Sequence, residues 1–315
     1  MIEVSNLTKR FGQVLAVDEI SFHVPARTIV GFLGANGAGK TTTLRMLAGL
    51  LTPTSGTARI AGHDCLTDSL AVRRILGFMP EQVALYNEMR VEELLDYTAA
   101  MRGIAGWDRK SAVKTAMDHC QLGSMRRRLA GTLSKGYRQR VGLAQALVAK
   151  PKVVILDEPT IGLDPVQIKE TRQMIRGLAQ NCTVLLSTHI LSEVEQICSK
   201  VLIISSGKLL ADDYLENLAK SGQWLEISLS TRGPAENIER MLRALEGVDN
   251  VRASGQKNGD LQFGLRIKRS EDGGGVREAI GRALVKNGWP VVELTSREPT
   301  LEDIYIRITE SERVV

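Results

Sequence analysis

The sequence predicts an α/β chain: a parallel sheet flanked by helices, preceded by a small antiparallel β-subdomain and followed by a small α+β domain. Three observations predict it. Short apolar runs rich in β-branched residues alternate with helical stretches up to about Ala211, as parallel layers do. The first two dozen residues lack that alternation and contain strand-like runs only. After Ser221-Gly222 the pattern changes to strand, helix, strand, strand, helix, strand.

Taken in order, Ile2-Glu3-Val4, Val14-Leu15-Ala16-Val17 and Ile20-Ser21-Phe22-His23-Val24 read as short antiparallel strands. Thr28 to Leu33 reads as a buried strand and Thr42 to Leu50 as a helix. Val91 to Arg102, Arg109 to Cys120 and Val166 to Ala179 have helical character, and Ser134-Lys135-Gly136 reads as a turn entering a helix over Val141 to Ala149. Val153 to Leu156, Thr183 to Ser187 and Val201 to Ile204 are continuous apolar or β-branched runs, the signature of strands buried on both faces. In the second domain Trp224 to Leu229, Val248 to Ala253, Leu261 to Ile267 and Val291 to Leu294 read as strands. Pro234 to Leu245, Gly275 to Asn287 and Thr300 to Thr309 read as helices, an order expected of a ferredoxin-like domain. The polar, Gly-rich stretches Ser254 to Asp260 and Ser270 to Gly275 are expected to be exposed turns. Domains over 1–219 and 220–315 follow.

Composition narrows the function classes. With 43% hydrophobic and 24% charged residues over 315 positions, the chain has core material for two domains. A net charge of +5 is too mild to demand nucleic acid, and none is expected as a partner. Arg126-Arg127-Arg128, the densest basic stretch, reads as a solvated helix end. Cys65, Cys120, Cys182 and Cys198 are scattered, without C-x-x-C or ligand-like spacing to His, so neither a disulfide framework nor a zinc site is expected and a reducing compartment fits. The start lacks a basic-then-apolar leader, and no apolar run approaches the roughly 18 residues of a membrane span. If the chain works at a membrane, another chain supplies the span.

The most informative stretch is Gly34-Ala35-Asn36-Gly37-Ala38-Gly39-Lys40-Thr41, which reads G-x-x-x-x-G-K-T between strand and helix. Glycines there let backbone N–H groups turn inward around phosphate oxygens, and the helix that follows aims its positive end at them. Lys40 reaches the β- and γ-phosphates, and the Thr41 hydroxyl is placed for Mg²⁺. Gly34, Asn36, Gly37, Gly39, Lys40, Thr41 and Thr42 are thus the expected nucleotide-binding residues of a P-loop NTPase sheet. The strand Val153 to Leu156 ends in Asp157-Glu158. In the P-loop class the first carboxylate, Asp157, holds Mg²⁺, and Glu158 then faces the γ-phosphate and acts as general base on the attacking water. A P-loop by itself leaves GTPases, kinases, helicases and transport ATPases open.

Leu133-Ser134-Lys135-Gly136-Tyr137-Arg138-Gln139-Arg140, upstream of that strand, resembles the signature motif of the ABC (ATP-binding cassette) ATPases. Over roughly Met1 to Ala219 the other family marks are similar in order. Gln82, in Met79-Pro80-Glu81-Gln82, resembles the glutamine that touches Mg²⁺ and senses the partner subunit. Asp164, in Gly162-Leu163-Asp164-Pro165, resembles the loop linking the two sites of a dimer. His189 resembles the switch histidine at the γ-phosphate, and Phe11 the aromatic that stacks on adenine. The resemblance implies a helical subdomain, ATP and Mg²⁺ as ligands, and Glu158, His189 and Gln82 as catalytic residues, with Thr41, Gln82 and Asp157 at the metal. It further implies that Ser134 and Gly136 bind the γ-phosphate held by a second ATPase subunit, identical or not.

This signature departs from the commonest family form: Lys135 replaces its first glycine and Tyr137 its glutamine. The S-K-G-Y-R-Q-R form, and the ending Pro299-Thr300-Leu301-Glu302-Asp303-Ile304-Tyr305, resemble ATPase subunits of drug, lipid and polysaccharide exporters or gliding-motility-like systems. The implied function is ATP hydrolysis that powers transport, export by this resemblance, through integral membrane permease subunits. The implied location is peripheral, on the cytoplasmic face of the inner (plasma) membrane. The alternative is a soluble ABC ATPase that remodels nucleic acid or ribosomes; a single cassette without a coiled-coil insertion fits it poorly. A GTPase reading fails for want of an N-K-x-D motif.

Overall fold

The chain opens with an antiparallel hairpin in the computed structural model, which describes residues 1–221, 224–257, 259–268, 273–297 and 300–313. Two long strands, β1 (Ile2–Phe11) and β2 (Val14–Val24), stand where three short ones were expected. The interruption at Asp18-Glu19 is a bulge, with Glu19 at φ 47° and the register shifting from Leu7↔Ile20 to Lys9↔Val17, so the strand bends without reversing. Next come β3 (Ile29–Leu33), α1 (Lys40–Leu47), β4 (Ser55–Ile60), β5 (His63–Asp64), α2 (Ser69–Ile75) and β6 (Leu76–Met79). β4 and β5 complete an antiparallel sheet of order β2-β1-β4-β5. Their polar, half-exposed residues gave no strand signal in the sequence.

Three helices, α3 (Val91–Met101), α4 (Gly106–His119) and α5 (Lys135–Leu147), pack on one another as a helical part. The Arg126 to Arg128 stretch is exposed and ends a short 3-10 helix, Gly123–Met125, with Arg126 at its C-cap. Its Arg126 and Arg128 carbonyls accept from the N–H groups of Glu92 and Val91, satisfying the start of α3. Hydrogen bonding from the Arg126 guanidinium, 2.6 Å from Nε to Oε2, holds the Glu92 carboxyl below its ordinary pKa. α5 begins six residues before the expected Val141. Ser134, at φ −62° and ψ 161°, has the extended backbone of an N-cap, and Gly136 and Gly142 sit inside the helix where bulk is excluded.

The chain then alternates β7 (Val153–Asp157), α6 (Pro165–Leu178), β8 (Thr183–Thr188), α7 (Leu191–Ile197), β9 (Lys200–Ser205), β10 (Lys208–Tyr214) and α8 (Leu215–Ser221). The main sheet has the order β10-β9-β3-β8-β7-β6 and is parallel except for β10, which runs antiparallel on β9. β3, β7 and β8 are buried along their whole length, as the continuous apolar runs predict. One core joins the two sheets: Phe32 of β3 and Phe22 of β2 lie 5.9 Å apart, among Ile2, Leu44 and Ile155. Burying a side chain such as Phe32 contributes about 1.5–3 kcal/mol.

The structure divides into two compact units, Met1–Leu215 and Glu216–Val315. The second contains β11 (Trp224–Thr231), α9 (Ala235–Arg243), β12 (Val248–Lys257), β13 (Asp260–Lys268), α10 (Gly273–Lys286), β14 (Val291–Arg297) and α11 (Leu301–Arg313). Its antiparallel sheet, ordered β12-β13-β11-β14, and its β-α-β-β-α-β succession are those of the ferredoxin-like fold. Ile227, Leu229, Leu265 and Ile267 of the sheet form its core with Ile238, Leu242, Ile280 and Leu284 of α9 and α10. The expected turn over Ser254 to Asp260 is mostly strand. β12 continues to Lys257 as an edge strand exposed over Arg252 to Gln256, with a bulge between Ala253 and Gly255. Of the second expected turn, 270–272 lie outside the described residues and Gly273 already belongs to α10. Among the described residues no helix is long and apolar enough to cross a membrane.

Candidate active site

Parallel pairing gathers the motifs. β8 lies between β3 and β7 with Leu33↔Thr188 and Asp157↔Ser187 in register, and β6 pairs with β7 on the far side. The loops after β3, β8, β7 and β6 therefore emerge side by side at the carboxyl end of the sheet, where open α/β sheets bind ligands. They carry, in that spatial order, the P-loop, His189, Asp157-Glu158 and Gln82.

The P-loop backbone is shaped by its glycines. Gly37 and Gly39 have φ of 82° and 106°, in the left-handed region that favours glycine. A Cβ on Gly39 would also meet the Ala16 carbonyl oxygen at 2.6 Å, and one on Gly34 the Ile204 oxygen at 2.4 Å. Asn36 and Gly37 form the exposed tip; Thr41 and Thr42 are half-buried on the first turn of α1. Lys40 is only 5% exposed. Its Nζ turns back to donate to the carbonyls of Gly34 (2.7 Å) and Ala35 (3.2 Å), and lies 3.4 Å from Glu158 Oε1.

The acidic pair has two distinct environments. Asp157 Oδ1 accepts from Thr41 Oγ1 at 3.2 Å and from Ser187 Oγ at 2.6 Å. These are hard oxygen donors, a carboxylate and a hydroxyl, of the kind Mg²⁺ takes together with substrate phosphates. Glu158 has φ 49°, an uncommon conformation for a non-glycine residue, held by its N–H donating to Ser187 Oγ at 3.0 Å. Its Oε2 lies 2.9 Å from His189 Nδ1. Its buried Oε1 faces the Lys40 ammonium without a hydrogen bond, leaving one acceptor directed at the P-loop. Ser187 joins the Asp157 carboxylate to the Glu158 backbone N–H and was missed in the sequence, where its one signal is a hydroxyl near the end of an otherwise apolar strand.

The remaining candidates lie outside this cluster. Gln82 is exposed on the loop three residues past β6, one residue from Glu81, whose carbonyl approaches Gln139 Nε2 of α5 at 3.5 Å. Phe11 is 48% exposed at the hairpin tip, with Lys9 Nζ 5.0 Å from its ring centroid. The same hairpin presents Ala16 and Val17 to Gly39. Ser134 is exposed at the start of α5 and its hydroxyl makes no capping bond, which leaves it available. Gly136 is buried: a Cβ there would strike the Gln167 side chain at 2.4 Å. Asp164 caps α6, accepting from Gln167 N at 2.9 Å. No hydrogen bond in the described residues joins Ser134, Gly136 or Asp164 to the P-loop of the same chain.

The four thiols play no part in this chemistry. All are buried, and burial pushes Cys65 up to about 12 and Cys182 to about 11, with Cys120 and Cys198 raised further.

The ABC transporter family profile matches residues 17–161. The chain is 35% identical over 311 residues to the bacitracin transport ATP-binding protein BcrA of Bacillus licheniformis, covering 98% of this chain and 97% of that one. It is 35% identical over 250 residues to the daunorubicin/doxorubicin resistance ATP-binding protein DrrA of Streptomyces peucetius, covering 78% and 76%. Among solved structures, the ATP-binding subunit of an ABC transporter matches with a TM-score of 0.65 and 28% identity, covering 70% of this chain and 92% of that one. A dimeric ATP-binding cassette bound to ADP and Pi shares the fold, with a TM-score of 0.62 at 23% identity, covering 68% and 99%. The chain belongs to the ABC transporter family, as one of its ATP-binding ATPase subunits.

Proposed function

We propose that this chain powers the export of a drug-like compound through separate membrane-spanning subunits, by an ATP-dependent closure of two ATPase chains. The observation that carries the ATPase part is Glu158, buried, strained and set between Lys40 and His189 at the mouth of the P-loop. In this reading Glu158 takes the proton of the attacking water, and His189 orients Glu158 and meets the γ-phosphate. Lys40 leaves its carbonyl contacts to bind the β- and γ-oxygens. Thr41 and Asp157, hydrogen-bonded to each other, would hold Mg²⁺, with Gln82 on the next loop; the ion, when bound, would neutralise charge on the phosphates. Phe11 supplies an exposed ring for adenine.

Ser134 and Gly136 open α5 apart from the P-loop of their own chain, which supports a site completed by a second copy or a related ATPase chain. Export of a drug-like cargo is supported by the relatives, one named for bacitracin transport and one for daunorubicin/doxorubicin resistance. These relatives leave the nucleic-acid alternative without support. A membrane partner is further supported by the apolar surface of the helical part, where Met101 and Trp107 are 72% and 84% exposed. Such a chain sits peripherally on the cytoplasmic face of the membrane. The second unit, which contains none of the site residues, is assigned a regulatory or dimer-stabilising role. Tagging the chain in its host and identifying by mass spectrometry what co-purifies from detergent-solubilised membranes tests the proposal. A stoichiometric multi-span protein is expected; recovery only with ribosomes or nucleic acid in the soluble fraction overturns it.

A further inference from the structure

His189 is held less directly than the residues around it. Its ring is 38% exposed and hydrogen-bonded to Glu158, so the direction in which it points depends on the backbone turn at the end of β8. That turn is fixed by a buried polar chain. Thr188 Oγ1 donates to Glu193 Oε2 at 2.9 Å and accepts from Ile190 N–H at 3.1 Å, bracketing His189 on both sides. Thr188 is fully buried and Glu193 is 1% exposed. The other oxygen of Glu193 faces Arg172 Nη2 of α6 at 3.4 Å, and Arg172 Nη1 donates to Gln196 at 2.7 Å.

The Thr188 hydroxyl gives its one proton to Glu193 Oε2, which turns its lone pairs toward Ile190 N–H. We propose that Glu193 is a positioning residue for ATP hydrolysis: it sets the direction of the Thr188 hydroxyl, and through that the turn that aims His189 at Glu158. The inference rests on the reading of His189 and Glu158 as the pair acting at the γ-phosphate. Arg172 extends the chain to α6, the helix whose start Asp164 caps.

A glutamine at 193 has one acceptor oxygen for two donors. The Arg172 cation is the stronger claimant, so the amide NH₂ turns toward Thr188, makes its hydroxyl an acceptor and leaves the hydroxyl proton without its partner in a buried site, which loosens the turn that the hydroxyl holds. The test is steady-state ATP hydrolysis by the purified full chain for Glu193→Gln, Thr188→Val, Thr188→Ser, His189→Ala and the Glu193→Gln/His189→Ala double variant. Glu193→Gln and Thr188→Val are expected to lower kcat by about 10- to 100-fold, the scale of a small misplacement, with KM for ATP within about twofold. Thr188→Ser, which keeps the hydroxyl, is expected near wild type. The double variant is expected to be no slower than His189→Ala, because both changes break one path.

A role confined to stabilising α7 predicts instead that the two penalties multiply, and that result overturns the proposal. So does a Glu193→Gln enzyme at the wild-type rate beside a slow His189→Ala. If Glu193→Gln does not fold, equal rates for Thr188→Val and Thr188→Ser overturn it as well. A His189→Ala enzyme at the wild-type rate refutes the reading of His189 itself, and the proposal with it.

Discussion

Lys40 Nζ and Glu158 Oε1 lie 3.4 Å apart with both side chains about 95% shielded from solvent, so the P-loop cation and the proposed general base neutralise each other inside one site. Burying either charge alone is costly, and pairing the two inside one site offsets that cost. Replacing Glu158 by Gln keeps the shape and removes the basicity. Hydrolysis is expected to slow by ~10²–10⁴ while ATP binding is retained. Single-turnover hydrolysis beside a nucleotide titration checks both halves; a wild-type rate removes Glu158 from the mechanism.

Lys40→Ala removes the cation that reaches the phosphates and leaves Glu158 buried without its partner. Charge-assisted hydrogen bonds contribute about 1.5–3 kcal/mol each, so ATP affinity is expected to fall by roughly 10²-fold, ending tight binding. Calorimetric titration with ATP measures it directly.

Gly34→Ala tests the close approach of the P-loop to the neighbouring strand. The added Cβ meets the Ile204 carbonyl oxygen at 2.4 Å, a backbone atom of β9 that cannot swing away. Overpacking of this kind costs about 1–3 kcal/mol, and a fall in the thermal midpoint of a few degrees is expected by differential scanning calorimetry.

Thiol reactivity follows from burial. The thiolate is the nucleophile, and the pKa values of Cys65 and Cys182 are pushed up to about 12 and about 11, so at pH 8 both are protonated as well as shielded. Raising pH toward those values increases the thiolate fraction; lowering it does not. Native protein at pH 8 is expected to resist iodoacetamide at all four cysteines and to react at all four in denaturant, as read by intact-mass spectrometry.

The motifs most legible in the sequence are those whose chemistry is local. G-x-x-x-x-G-K-T specifies positive-φ turns and a helix start by itself, and the buried strands announce themselves by unbroken apolar runs. What depends on pairing was not legible. Ser187 reaches Asp157 and Glu158 because β8 lies beside β7 in a particular register, and Glu193 meets Arg172 because α6 and α7 pack together; neither fact has a sequence period. The start of α5 was misread because Ser134 and Gly136 carry turn propensity, whereas here Ser134 is an N-cap and Gly136 makes room for Gln167. The edge strand through Lys257 was read as a turn because Arg252 to Gln256 are exposed and have no apolar alternation to show.

The central claim is that two chains close on ATP, the P-loop of one against Ser134 and Gly136 of the other. Analytical ultracentrifugation of the Glu158→Gln variant with ATP and Mg²⁺, with ADP, and with Ser134→Arg added tests it most directly. The account predicts a dimer with ATP, its loss with ADP, and its loss when Ser134 is replaced. A mass unchanged by nucleotide, or an ATP-dependent dimer indifferent to Ser134, would contradict it.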